Sequence, residues 1–263
     1  GFPALGVAGA ALATVIGQII AMLLYVVVYF HQHIGITIRL RDMKPQGPII
    51  RRIYGIGGPS SLMLSMPSLL TGILNGILTQ FDAVYVAVFG LYYKLQTFVN
   101  MPANGMIQGM RPIISYNYGA GETARVTETI RYGLRLIACI MLIGTLAALF
   151  IPGPILRIFD ADEILLAYGV PALRIIGPSF LLSSVGIVAS GVFEALGRGR
   201  SSLLISLLRQ LIIIVPLGWI LSCWIGPIGI WIAFPIAELV ASLVAAYMLR
   251  SVTMRKESSH EGK

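Results

Sequence analysis

The chain is a succession of long apolar runs separated by short polar connections. Stretches with few or no charges recur at 7–30, 55–79, 83–110, 133–152, 164–193, 203–224 and 228–249. As a helix rising 1.5 Å per residue, each is long enough to cross a hydrocarbon core about 30 Å thick. Lipid offers no partner to backbone N–H and C=O groups, so runs of this length span as helices, whose bonds are internal. The pattern predicts an all-α, polytopic membrane protein with seven transmembrane helices.

The third run breaks the monotony at NMPANGMIQGMRPIISYNYGAG, residues 100–121. On a helix Gln96, Asn100, Asn104, Gln108 and Arg111 follow one another at spacings of four, four, four and three, which makes one polar stripe. Gly105 and Gly109 form a small-xxx-small pair, a signature of close backbone approach between helices. Pro102 and Pro112 each remove a backbone donor, and a bend is expected at Pro102. Pro59 and Pro67 in the second run, and Pro171 and Pro178 in the fifth, add further expected hinges. Amides at membrane depth either hydrogen-bond to neighbouring helices or line a wet cavity, and the residues alone leave both open. YNYGAG reads as a glycine-capped exit from the membrane.

Composition agrees with the pattern. Of 263 residues, 57% are hydrophobic and 11% charged, against about 25% charged in soluble domains. The net charge of +8 raises the possibility of nucleic acid, but its placement argues for membrane topology. Fifteen of the 19 Lys and Arg occur in four places: the 39–52 loop, Arg111 to Arg135, the Arg198/Arg200 turn and the tail from Arg250. The alternate connections carry few basic residues. Basic short loops favour the cytoplasmic side, so this alternation predicts a cytoplasmic C-terminus and, after seven crossings, an external N-terminus. A chain that opens GFPALG on the outside, without a targeting segment, reads as a fragment. Cys139 and Cys223 have no metal or disulfide spacing.

Ionisable groups at membrane depth are few: Lys94, Arg174, Glu194, Arg209 and Glu238. Such groups are costly in lipid and therefore pair, face the bundle interior or mark a pathway. Arg209 lies about 12 Å in from Ser201, and Glu238 about 18 Å in from Arg250. Their helices are consecutive and antiparallel, so a buried Arg209–Glu238 pair is expected, with a protonatable Glu238 as the functional alternative. Glu194 is expected to neutralise Arg198 or Arg200. Arg174 is placed to snorkel. Lys94 either pairs with an acid outside this chain or lines a cavity.

Residues 6–21 and 226–241 match at a constant offset of 220, pairing Gly6 with Gly226, Gly9 with Gly229, Ala13 with Ala233 and Gln18 with Glu238. A six-helix repeat follows, with both halves running the same way and a site between them. On that reading residues 1–38 hold the last helix of a first lobe, 39–52 a basic inter-lobe loop, 53–250 a complete six-helix lobe and 251–263 a tail. Roughly five helices are expected upstream.

At MPANGMIQGMRPIISYNYGAG, GVFEALGRGRSSLLISLLRQ and WIAFPIAEL the sequence resembles the multidrug and toxic compound extrusion (MATE) family. The resemblance covers essentially the whole chain, as the sixth to twelfth helices of a twelve-helix transporter. It implies two lobes around a central cavity, amphipathic and mostly cationic drugs or dyes as substrates, and H⁺ or Na⁺ as the coupling ion with no other cofactor. It also implies a multi-pass protein of a prokaryotic cytoplasmic membrane, monomeric when full length, with the missing lobe as partner of this one. In one branch of the family cation-binding acids sit on the seventh and tenth helices. Pro67 and Ser183 stand there in this chain, so the resemblance implies coupling acids in the other lobe. Lys94, Gln96, Asn100, Asn104 and Gln108 are the substrate-cavity candidates.

One relative within the same class and two other classes compete with this reading. A lipid-linked oligosaccharide flippase of the same superfamily calls for a wider, more basic cavity than Lys94 supplies. An intramembrane transferase needs positioned acids, bases or metal ligands, and His31, His33 and His260 form no such set. A channel filter needs a ring of equivalent groups, which an asymmetric two-lobe chain does not supply. The expectation is a transporter, not an enzyme, with no metal site and no nucleic-acid partner.

Overall fold

The computed structural model describes residues 6–31 and 44–254. His33, Arg39 and Arg41, and Arg255, Lys256, His260 and Lys263 of the tail, lie outside the described residues. Among the described residues there is no strand. The chain divides into two units, residues 1–50 and 51–263. The first contains α1 (Gly6–His31), whose 26 residues are apolar on every side, the composition of a membrane span about 39 Å long.

The second unit is a helical lobe. Its elements are α2 (Gly47–Leu78) from Arg51 onward, α3 (Ala83–Gly119), α4 (Thr123–Phe150), α5 (Pro152–Ile158), α6 (Glu163–Ile176) and α7 (Pro178–Ala195). After these come α8 (Gly199–Leu207), a π-helical segment (Leu208–Ile212), α9 (Ile214–Ile225) and α10 (Ile228–Met254). Six elements are long and apolar enough to cross a membrane: α1, α2, α4, α7, α8 continued through α9, and α10. The seventh expected span, α3, has 37 residues and so is about 55 Å long. Its polar flank keeps it out of that apolar set.

The lobe is organised around α7 and α10, which pack on each other while α3, α4, α6 and α9 close around them. Aromatic rings form the seam between α3, α7 and α10. Phe89 lies 6.0 Å from Tyr92, 6.3 Å from Trp231 and 6.2 Å from Phe234 between ring centroids. Tyr92 in turn stacks on Phe180 at 6.2 Å and meets Phe234 edge-on at 5.2 Å. Phe89, Tyr92 and Phe180 are at most 2% exposed.

The expected fifth span is two helices in line. Pro178 has no N–H, so the ladder is interrupted where α6 gives way to α7. Thr145 of α4 repairs the break. Its hydroxyl donates to Gly177 O at 3.1 Å and accepts from Leu181 N at 3.1 Å, standing in for the direct helical bond between those two groups. Ser183 and Ser184 likewise donate to Phe180 O and Leu181 O. Interruptions at membrane depth survive only with such side-chain partners.

Of the expected hinge prolines, Pro178 stands at an interruption. Pro59 and Pro67 lie inside α2, and Pro102 and Pro112 inside α3, and both helices continue through them. The interruptions fall at Gly177–Pro178 and at Leu208–Ile212, and the second contains neither proline nor glycine.

The turn from α9 to α10 uses two glycines. Gly226 has φ +70° and ψ −157°, a conformation open to glycine alone. A Cβ on Gly229 would overlap the backbone of Leu221 and Ser222. Gly229→Ala is expected to cost about 1–3 kcal/mol by overpacking, read as a lowered unfolding temperature in detergent. Gly72→Ala, which meets open space, is expected to leave that temperature unchanged.

Candidate functional site

The functional candidates cluster on α3, which buries one face and leaves two flanks. Val88, Phe89, Tyr92, Leu95, Ala103, Ile107, Met110 and Ile114 form the buried face. The amide stripe starts at the edge of that face and turns outward along the helix. Gln96 and Asn100 are half-buried, whereas Asn104 and Gln108 are exposed. None of the four has a hydrogen-bond partner among the described residues, so they do not glue this lobe together. Lys94 is also exposed. At 100° per residue it stands about 160° around the helix from Gln96 but only about 40° from Gln108, on the side turned away from the buried face.

Arg111, the last member of the stripe, reaches Glu194 at the C-terminal end of α7. Ser202 of α8 donates to the same carboxylate at 3.2 Å. The expected partners Arg198 and Arg200 are not used. Gly197, at φ +70°, ends α7 in a Schellman motif, with Gly197 N–H on Glu194 O and Arg198 N–H on Phe193 O. That reversal carries both arginines out to exposed positions, while Ser115 holds α3 against the end of α7 by donating to Ala195 O at 2.8 Å. Gly121, at φ +81°, ends α3 in the same way.

Arg209 and Glu238 form a two-pronged ion pair. Nε and Nη2 of the guanidinium donate to Oε2 and Oε1 of the carboxylate, each at 2.9 Å. Their side chains are 15% and 9% exposed. Arg209 sits in the π-helical segment, a feature often found at functional positions. Its stem crosses Gly186 of α7, where a Cβ would lie 2.9 Å from Arg209 Cδ. The π segment escaped the sequence reading because LRQLI contains no helix breaker.

Among the described residues no backbone approaches Gly105 or Gly109, and a Cβ on either meets open space. The close crossings of α3 and α4 use glycines of α4 instead. Gly133 accepts Met110, and Gly144 accepts Val99. Gly105 and Gly109 therefore line a groove beside α4 with a volume of about 630 Å³. Ser183 is buried, donates to Phe180 O and brings no negative charge to that position. Among the described residues no three His, Cys, Asp or Glu side chains come together as a metal site. Cys139 and Cys223 are free and exposed.

A bundle of membrane-spanning helices, built around two polar pairs and an amide flank, defines a polytopic membrane protein. The MatE family model matches residues 59–220, more than half of the chain, and the chain belongs to that family. The multidrug export protein MepA of Staphylococcus saprophyticus is 28% identical over 98% of this chain and 58% of its own length. A solved outward-facing multidrug resistance MATE family transporter of the MOP superfamily superposes with a TM-score of 0.85 at 26% identity, over 97% of this chain and 58% of that one. The MATE multidrug transporter DinF-BH, solved in complex with R6G, gives 0.78 at 34% identity, over 92% and 55%. The chain spans just over half the length of the curated relatives it matches.

Removing one member of the Arg209–Glu238 pair strands the other charge in an apolar interior. Arg209→Met and Glu238→Leu are each expected to cost about 3–5 kcal/mol. The double variant is expected to be closer to wild type than either single one, as measured by thermal unfolding in detergent.

Proposed function

We propose that this chain supplies the C-terminal lobe, and the last helix of the other lobe, of a secondary active multidrug exporter. It works in the cytoplasmic membrane of a prokaryote, with its C-terminus in the cytoplasm. Amphipathic cations move outward through alternating access, driven by an inward H⁺ or Na⁺ gradient. The observation that carries this reading is the amide flank of α3. Gln96, Asn100, Asn104 and Gln108 stand along about 18 Å of helix without a hydrogen-bond partner among the described residues. Lone amides facing hydrocarbon cost several kcal/mol each. A wet chamber closed by a second lobe removes that cost and provides neutral polar groups against which an amphipathic cation can slide.

Family membership and the names borne by its relatives support drug export as the activity. The basic connections support the orientation. The chemistry of this lobe supports a coupling carboxylate in the other one. Glu238 is occupied by Arg209 and Glu194 by Arg111, and the position of Ser183 carries a neutral hydroxyl where a carboxylate would be needed.

Disrupting the gene that encodes this chain is expected to raise accumulation of a cationic dye such as ethidium, and collapsing the ion gradient to abolish the difference. In the full-length protein, Asn100→Leu with Asn104→Leu and Gln108→Leu is expected to remove most efflux while leaving the membrane level of the protein intact. Unchanged accumulation across a broad dye panel overturns the reading.

A further inference from the structure

The other flank of α3 carries a second surface. The groove lined by Gly105, Gly109, Ile113 and Asn117 on α3 faces Arg125, Tyr132 and Leu136 on α4. Immediately beside it, sharing Glu128 and Tyr132, is a concavity of about 400 Å³ bordered by Arg131 and Arg135. Farther along the same side of the α3–α4 seam is a third hollow, of about 600 Å³. It is walled by Phe98, Pro102, Ile140 and Ile143 and is almost wholly apolar. The seam therefore changes character along its length, from basic at the Asn117–Arg125 end to hydrocarbon beyond Leu136.

We propose that this seam binds one anionic phospholipid, its phosphate held at Arg125, Arg131 and Arg135 and an acyl chain lying over Gly105 and Gly109. Charge complementarity selects the occupant. Three arginines face the single carboxylate of Glu128, and none of the three is in an ion pair among the described residues. Basic pockets between spans at the cytoplasmic side are suited to anionic headgroups.

Depth fits as well. α4 has 28 residues and is about 42 Å long, so it overruns a 30 Å core by about eight residues. With Phe150 at the far boundary, the core begins near Arg131 and Arg125 stands at headgroup level. Arg135 is one turn deeper, and its guanidinium lies over the Tyr132 ring at 5.8 Å, turned back toward the same end. That is the posture of a snorkelling arginine. From Asn117 to Gly105 the groove runs about 18 Å, close to the depth of one leaflet. The two glycines leave room for an acyl chain where any larger side chain would fill it.

Native mass spectrometry of the purified protein, with phosphatidylglycerol and phosphatidylcholine added in parallel, tests this. Phosphatidylglycerol is expected to remain bound under activation that strips phosphatidylcholine. The variant R125Q/R131Q/R135Q changes charge without filling the groove, and Gly109→Leu fills the groove without changing charge. R125Q/R131Q/R135Q is expected to weaken phosphatidylglycerol retention by about tenfold or more, since each basic residue near a headgroup is worth about 1 kcal/mol, and Gly109→Leu to weaken it by filling the space the acyl chain needs. Equal retention of the two lipids overturns the proposal. So does wild-type retention by either variant, because surface charge alone or hydrocarbon contact alone then accounts for binding. A dimer in the wild type that Gly109→Leu dissociates assigns the seam to a second copy of the chain and likewise overturns it.

Discussion

Everything in this lobe answers to one constraint: at membrane depth a backbone polar group finds no water. Unbroken helices meet it without help. Where the chain departs from the regular ladder, the structure supplies a side chain to take over. Thr145 does so between Gly177 O and Leu181 N, bridging the proline junction from a neighbouring helix. One hydroxyl thus ties α4 to α7 at the point where α7 begins, and it lies in the packed interior, where Gly177 touches Ala148. The same logic governs charge. Glu238 is buried because Arg209 presents two donors in the plane of its carboxylate.

α3 is the exception that gives the lobe its character. Its buried face packs into α7 and α10 through Phe89 and Tyr92. On either side of that face the helix presents a different environment. One flank carries amides that the lobe does not use. The other carries glycines beside a basic helix. Lys94, also exposed, precedes the stripe and lies about 40° around the helix from Gln108. Two such unlike flanks on one helix are what the proposed chamber and the bilayer would each require.

Much of this was legible in the sequence, because hydrophobic length and spacing carry it. Apolar runs located the spans, and helical spacing located the amide stripe. The antiparallel order of two adjacent helices sufficed to bring Arg209 to Glu238. What escaped was set by geometry between helices. Glu194 meets Arg111 rather than its sequence neighbours because a left-handed Gly197 turns the chain away. The small-residue pair at Gly105 and Gly109 reads as a packing motif, yet the packing glycines are Gly133 and Gly144, which stand in no such repeat with each other. Pro102 and Pro59 signal bends by composition. The interruption at Leu208–Ile212 has no compositional sign at all, since it arises from where Arg209 must point.

That π-helical stretch holds one residue more than a regular helix of the same rise would need. Excising a residue there would restore an even hydrogen-bond ladder while α8 and α9 kept nearly the same phase, because the wider turn absorbs the extra residue locally. Gly218 would still face Ala233 of α10. The side chain re-aimed would be that of Arg209, inside the turn, so the length of this short segment bears on whether Glu238 keeps its counter-charge.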